Sequence, residues 1–192
     1  MSQWDTGSQL SLFNAAPPDQ MFPVGAEFLR VLRAAQHISE HSGGAFHPAL
    51  GEWSEAWGFG ASAASQPLAT QRRASRPVPA ADAINIGDAA QSISRKDGAL
   101  LDLSGIAKGF AVDLVAERLL AAGMRHFLIE IGGELRGEGI EPSGQPWWVD
   151  IAMPPTSSVQ PYRAALHDLS VATSGNYRRQ VTVNGQVYSH SF

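Results

Sequence analysis

The stretch that decides the fold is LDLSGIAKGFAVD, residues 101–113. The leucines that open it predict a short strand, and Ser104-Gly105 then leads into a helix. A turn of this kind brings backbone N–H groups and the positive end of the helix beside Asp102 and Lys108. The pattern therefore predicts a site that holds a phosphate, although an ordinary packing turn accounts for it equally well.

The composition is that of an ordinary globular protein. Hydrophobic residues make up 44% of the 192 residues and charged residues 17%, which excludes a disordered or fibrous chain. The length suits one domain, or two small lobes that share a core. A net charge of -4 gives no support for a nucleic-acid partner.

The sequence carries no pattern typical of membrane insertion. No apolar run approaches the roughly 18 residues that a span requires, and the opening MSQWDTGSQL has no basic-then-apolar signal. We therefore expect no membrane span and, for the sequence as written, a cytoplasmic location. The absence of cysteine excludes disulfides, thiolate catalysis and a thiolate zinc site.

Two helices are predicted from apolar residues that recur every three or four positions. The first runs from Val24 to about His41, and the second follows Gly105 and ends near Ala122-Gly123. The apolar face expected for the second helix consists of Phe110, Leu114, Val115 and Leu119. Residues 2–18 and 61–80 are predicted to be irregular because they are polar and rich in turn formers.

Short strands account for most of the remaining chain. They are predicted at 83–88, 91–95, 99–103, 126–131, 147–153, 163–166, 169–173, 180–183 and 186–190. Asn184-Gly185 is a strong hairpin turn. This order predicts the α+β class, with antiparallel sheet packed with helices; only Leu100–Ile131 has the order that a parallel βαβ unit needs.

Three further segments are candidates for ligand contact. The aromatic residues of 46–59, interleaved with glycine, are typical either of a stacking wall for a flat ring or of a core. Gly132-Gly133 ends a strand and permits close approach of another backbone or a ligand. Thr173–Tyr177 forms a second polar loop at a strand end.

Generic enzyme motifs do not match. His37 and His41 lie four apart on a predicted helix, but Ile38 stands where a metalloprotease has glutamate, so a solvated helix edge is favoured. Ser104 and Lys108 are one residue too far apart for S-x-x-K. Dinucleotide and phosphate-loop glycine patterns are absent.

Five segments, taken in order, give the sequence a family resemblance. They are SQWDTGSQLSLFN (2–14), SGGAFHPALG through WGFG (42–60), DLSGIAKGFAVD (102–113), IGGELRG (131–137), and ATSGNYRR with YSH (172–179 and 188–190). Together they cover nearly the whole chain. In these segments the chain resembles the ApbE family of FAD:protein FMN transferases, once associated with thiamine biosynthesis.

The resemblance implies a T-fold-like α+β protein that forms a single domain over 1–192 and binds FAD. It also implies Mg²⁺-dependent cleavage of the pyrophosphate, transfer of FMN to a threonine hydroxyl of an acceptor flavoprotein, and release of AMP. Such phosphoryl transfer depends on positioning and charge neutralisation. Many members of the family are exported, which implies a periplasmic location if a leader is missing.

The resemblance also assigns roles to individual residues. Asp102 and Lys108 match catalytic, FAD-contacting positions, and the backbone carbonyl of Gly105 matches a Mg²⁺ ligand, since this cation takes oxygen. The other residues expected to contact FAD are Trp4, Trp57, Gly58, Phe59, Gly132, Gly133, Thr173, Ser174, Gly175 and His190.

The sequence departs from the family pattern at two motifs and at its ends. Phe46-His47-Pro48-Ala49 replaces Phe-Asp-Pro-Thr, and Gly132-Gly133-Glu134 replaces Gly-Gly-Asp. Relative to the family, we expect the chain to lack the first strands and, after Phe192, the Asp-Pro-x-Thr-Gly motif and the remaining metal ligands. The alternatives are therefore a non-catalytic FAD-binding paralogue, and a remnant that forms a homo-oligomer through open sheet edges.

Overall fold

The computed structural model describes residues 1–61, 79–87 and 91–191. The helices and strands, in chain order, are α1 (Gln9–Ala15), β1 (Phe22–Pro23), α2 (Ala26–His41), α3 (Gly51–Ala56), α4 (Ala80–Ala83), β2 (Ile84–Gly87), β3 (Ser92–Arg95), α5 (Ala107–Ala121), β4 (Phe127–Ile131), β5 (Glu134–Glu138), β6 (Trp147–Asp150), β7 (Arg163–Leu166), β8 (Leu169–Val171), β9 (Gln180–Val183) and β10 (Gln186–Ser189). The predicted irregular segment 61–80 lies largely outside the described residues, as does Asp88 of the predicted strand 83–88.

The α+β class is confirmed, because small antiparallel sheets combine with helices. Every strand pairing within the described ranges is antiparallel. The chain divides into two compact units, Met1–Ile106 with Arg179–Phe192, and Ala107–Arg178. A single domain over 1–192 stays a prediction.

The first unit begins with a helix where an irregular segment was predicted, so that prediction was wrong. The hydroxyl oxygen of Ser8 accepts the N–H of Ser11 at 3.2 Å and caps α1, which satisfies one of the orphan donors of the first turn. Leu10 and Phe13, three residues apart, are fully buried. The helix is too short for its period to stand out in the sequence.

Helix α2 confirms the first predicted helix. Its Phe28, Val31, Leu32 and Ala35 are buried at the expected spacing, whereas Ile38 is exposed. The adjoining three-stranded sheet has the order β1-β3-β2. A hairpin of β9 and β10 turns at Asn184 and Gly185, whose φ angles of 51° and 78° are the positive values that such a turn needs.

The predicted strand at 99–103 is absent, so this prediction was wrong and no parallel βαβ unit forms. A loop holds the segment instead. The N–H of Asp102 donates to the carbonyl of Pro48, and the N–H of Gly51 donates to the carbonyl of Leu100, both at 2.8 Å. The side chain of Asn14 makes two 2.9 Å hydrogen bonds with the backbone of Leu101. A side chain and a loop thus take the place of a neighbouring strand.

The second unit packs α5 on a three-stranded sheet of order β4-β5-β8, and also contains the β6–β7 pair. The core beneath α5 is formed by Val112, Ala116, Phe127 and Ile129, with Leu119, Leu120 and Ile131 packed against it. The helix itself is confirmed, but its predicted face is only partly right. Leu119 belongs to this core, whereas Val115 is exposed.

Candidate functional site

Asp102 is held in a fixed orientation by the first unit. It lies between Leu101 and Leu103, which are both buried, and its carboxylate accepts two hydrogen bonds. Ser54 of α3 donates its hydroxyl at 2.6 Å, and the N–H of Ser104 donates at 2.9 Å. Hydrogen bonds to an ionised carboxylate are short and strong, so both oxygens of Asp102 are already engaged within the protein.

Gly105 lies against an aromatic ring. A Cβ atom built at Gly105 would come within 3.2 Å of Cε2 of Phe46, so a side chain here would press on that ring. The neighbouring His47, which replaces the family's aspartate, accepts the N–H of Ala49 through Nδ1 at 3.1 Å. An aspartate side chain can accept the same kind of hydrogen bond from the backbone two residues on, so this local turn is compatible with either residue.

The aromatic residues that follow α3 meet the end of the β9–β10 hairpin. The ring centroids of Trp57 and Tyr188 are 4.7 Å apart, and those of Phe59 and His190 are 6.1 Å apart. Phe59 is buried, and His190 is exposed. Gly58, with φ of 75°, turns the chain between the two aromatic residues, so the structure brings Phe59 and His190 together.

Trp4 is the most exposed of the predicted aromatic contacts. Its side chain is 56% exposed, and Cζ of Arg179 lies 5.4 Å from its ring centroid, within the range of a cation–π contact. An accessible indole ring beside a guanidinium suits a ligand that combines a flat ring with negative charge.

Lys108 is the second residue of α5 and contacts the glycine turn of the second unit. Its Nζ donates to the carbonyl of Gly132 at 3.1 Å and pairs with Glu134 at 2.7 Å. The turn has positive φ at Gly132 and Gly133, 59° and 90°. A Cβ at Gly132 would lie 3.2 Å from Cδ of Lys108, so a side chain packs closely on this glycine, and the approach of another backbone or a ligand stays a prediction.

The polar loop that follows β8 is exposed over Thr173 and Ser174. Gly175 packs closely on Tyr177, because a Cβ at Gly175 would lie 2.9 Å from Cε1 of that ring. Cζ of Arg178 lies 5.7 Å from the centroid of the same ring.

A charge network ties α5 to the sheet of the second unit. Arg136 of β5 pairs with Glu138 and, at 2.8 Å, with Asp113 of α5. Hydrogen bonding to Glu138 and then to Asp113 raises the pKa of Arg136 above its usual value. This network fixes the helix that carries Lys108.

The described residues contain neither a group of metal-ligating side chains nor a helix suited to span a membrane. Within residues 1–61, 79–87 and 91–191, no three His, Asp or Glu side chains are grouped so as to hold a metal ion. No helix in those ranges is long and apolar enough to cross a membrane.

Several residues of these sites were missed by sequence reasoning. Ser54, Tyr188 and Arg179 lie far along the chain from the residues they contact, so no local pattern indicates them. Glu134 was noted only as a departure from the family motif. An acidic residue directly after a glycine turn is a weak signal, and its pairing with Lys108 becomes visible only in the folded unit.

Comparison with known proteins places these features in a family. The sequence profile of the ApbE family matches residues 1–192. The chain is 33% identical to a FAD:protein FMN transferase of Vibrio cholerae, over 99% of this chain and 58% of the relative. A FAD:protein FMN transferase of Haemophilus influenzae is 32% identical over 99% of this chain and 57% of its own length. The chain thus spans rather more than half the length of these curated relatives.

Solved structures give the same result. The apo flavinyl transferase ApbE of Pseudomonas stutzeri superposes with a TM-score of 0.78 at 31% identity, covering 99% of this chain and 59% of the other. The flavin transferase ApbE of Vibrio cholerae superposes with a TM-score of 0.76 at 30% identity, covering 95% of this chain and 60% of the other. By its sequence along 1–192 and by its fold, the chain belongs to the ApbE family.

Proposed function

We infer that this chain binds FAD and takes part in transferring FMN from FAD to a threonine hydroxyl of an acceptor flavoprotein. In that reaction the threonine oxygen bonds to the phosphorus on the FMN side, and the bridging P–O bond breaks. AMP leaves with the bridging oxygen, and the hydroxyl proton passes to water. The observation that carries the proposal is the 33% identity, over 99% of the chain, to a FAD:protein FMN transferase.

The structure supports FAD binding through the chemistry of two accessible groups. Lys108 is 48% exposed and lies in the first turn of α5, where its ammonium adds to the positive helix end. Trp4 offers an exposed ring beside Arg179. A phosphate and a flat ring are the ligand groups that these residues bind best. Asp102, Gly132, Gly133 and the Thr173–Gly175 loop remain proposed contacts.

The described residues do not by themselves fit a Mg²⁺ ion. Gly105 offers one carbonyl, and both oxygens of Asp102 accept protein donors, whereas Mg²⁺ is usually bound by one or two carboxylates that are free to ligate. Mg²⁺ dependence stays in the proposal on the strength of the family resemblance alone.

The test incubates the chain with FAD, Mg²⁺ and an acceptor flavoprotein that carries the target threonine. We expect AMP to appear by chromatography, in equal amount to flavin that stays on the acceptor after denaturation, and both to stop when EDTA removes the metal. FAD binding without either product would contradict transfer and favour the non-catalytic alternative. Absence of FAD binding would contradict both.

The chain offers a matched control for Lys108, because it contains only two lysines, Lys96 and Lys108. Lys96 pairs with Asp19 at the surface. We expect Lys108→Gln to weaken FAD binding by about tenfold or more, since it removes a charge-assisted bond to phosphate, and Lys96→Gln to leave the affinity unchanged. Equal effects of the two variants would contradict a phosphate at Lys108.

A further inference from the structure

The two side chains of the Lys108–Glu134 ion pair differ in their exposure to solvent. The side chain of Glu134 is only 12% exposed, whereas that of Lys108 is 48% exposed. Oε1 of Glu134 accepts the lysine ammonium at 2.7 Å, and Oε2 is buried with no hydrogen-bond partner among the described residues. A buried carboxylate needs a counter-charge to offset its lost hydration, and Lys108 supplies it.

The glycine turn completes this arrangement. Nζ of Lys108 also donates to the carbonyl of Gly132, and the lysine stem packs closely on this glycine, because Cδ would lie 3.2 Å from a Cβ built there. An ammonium has three donors, and the contacts it makes within the described residues use two of them. The third remains for an oxygen of a ligand.

Oε2 of Glu134 is too deeply buried to meet a ligand in this conformation, and Oε1 pairs with the Lys108 ammonium, so this ion pair is the contact through which the carboxylate can act on a ligand. We propose that Glu134 is a positioning residue, which holds the Lys108 ammonium at the Gly132 carbonyl with one N–H directed to a phosphate oxygen of FAD. This rests on the proposed function for its ligand.

A double-mutant cycle on FAD affinity tests the proposal. Glu134→Ala should weaken FAD binding by about tenfold, because the four-carbon stem of Lys108 then becomes free to sample other rotamers. Glu134→Gln, which retains an oxygen acceptor, should lose less. In a Lys108→Met background, Glu134→Ala should change the affinity by less than about twofold.

Glu130 provides the control. It is exposed on the same hairpin, and its Oε1 accepts the N–H of Gly133. Glu130→Gln removes an equal charge and retains that acceptor, so the affinity should stay at the wild-type value. An equal loss from Glu134→Ala with and without Lys108 would overturn the proposal, and so would a loss from Glu130→Gln as large as that from Glu134→Gln.

Lysine-selective NMR gives a second measurement that does not depend on FAD. Two side-chain signals are expected, with Lys96 as an internal reference. The two Hε protons of Lys108 should be inequivalent in the wild type, because the ammonium is held, and should merge in Glu134→Ala. Inequivalence that persists in Glu134→Ala would overturn the proposal.

Failure of the proposed function and failure of the positioning role alone give different results. A wild-type chain that does not bind FAD contradicts the proposed function, and the proposal that Glu134 directs Lys108 to a phosphate of FAD then falls with it. A chain that binds FAD with additive effects of Lys108 and Glu134 supports the proposed function and overturns the positioning role alone.

Discussion

At the scale of the residue, Asp102 depends on a hydroxyl from another part of the chain. Ser54→Ala should lower the free energy of unfolding by about 2 kcal/mol, because it removes a hydrogen bond to a half-buried carboxylate. Urea unfolding measures the change. Ser143→Ala, which removes an exposed hydroxyl bonded to Glu141, should cost less than about 0.5 kcal/mol. Similar losses from both variants would contradict this role of Ser54.

Asp102 could be selected as a candidate from its place between two apolar residues and beside a glycine turn. Ser54 could not, because 48 residues separate it from Asp102 and the intervening chain gives no register between them. The same holds for Arg179 at Trp4. Residue chemistry is visible in a sequence, whereas contacts between distant segments depend on the fold.

At the scale of the element, α3 begins where two backbones touch. A Cβ at Gly51 would lie 2.7 Å from Cβ and 2.8 Å from the carbonyl oxygen of Leu100. We expect Gly51→Ala to destabilise the protein by about 1–3 kcal/mol through overpacking, and to loosen the segment that carries Asp102. Thermal unfolding, followed by circular dichroism, measures the loss.

Gly109 provides the matched control for Gly51. It lies inside α5 with open space around its Cα hydrogens, so Gly109→Ala should stabilise the protein by about 0.5–1 kcal/mol through helix propensity. The two variants make the same chemical change and should differ in sign. Stabilisation by both would show that Leu100 yields readily to a new methyl group.

The longer elements were predictable because their periods repeat several times. In α2 four buried residues follow the helical period over several turns. Helices α1 and α3 have only seven and six residues, less than two turns each, so no period can repeat in them. The segment at 99–103 alternates like a strand yet pairs with a loop and a side chain. Alternation indicates an extended backbone, and only the tertiary structure determines what accepts its hydrogen bonds.

At the scale of the whole molecule, carboxylates of the second unit link stability to pH. A hydrogen bond from Arg163 lowers the pKa of Asp150, and the N–H of Gly139 lowers that of Asp168, from the usual value of 3.8. A lowered pKa in the folded state contributes stability above the unfolded value. This contribution is lost as the pH falls through the folded value.

We therefore expect the Tm of the second unit to fall as the pH drops below about 4. The Asp168→Asn variant should have a lower Tm than the wild type at pH 6. Its Tm should also decrease less from pH 6 to pH 2, because it lacks one of the carboxylates whose protonation is linked to unfolding. Scanning calorimetry across this range measures both. Parallel curves for the two proteins would contradict the role given to Asp168.

The pairing of the glycine turn with Lys108 constrains how this sequence can diverge. A Cβ at Gly132 would press on the lysine stem, and the lysine ammonium pairs with Glu134. A change at any one of these three positions alters the environment of the other two. Relatives that keep the lysine and the glycine should therefore keep an acidic residue at the position of Glu134, and a designer who transplants the lysine to another scaffold would have to move all three.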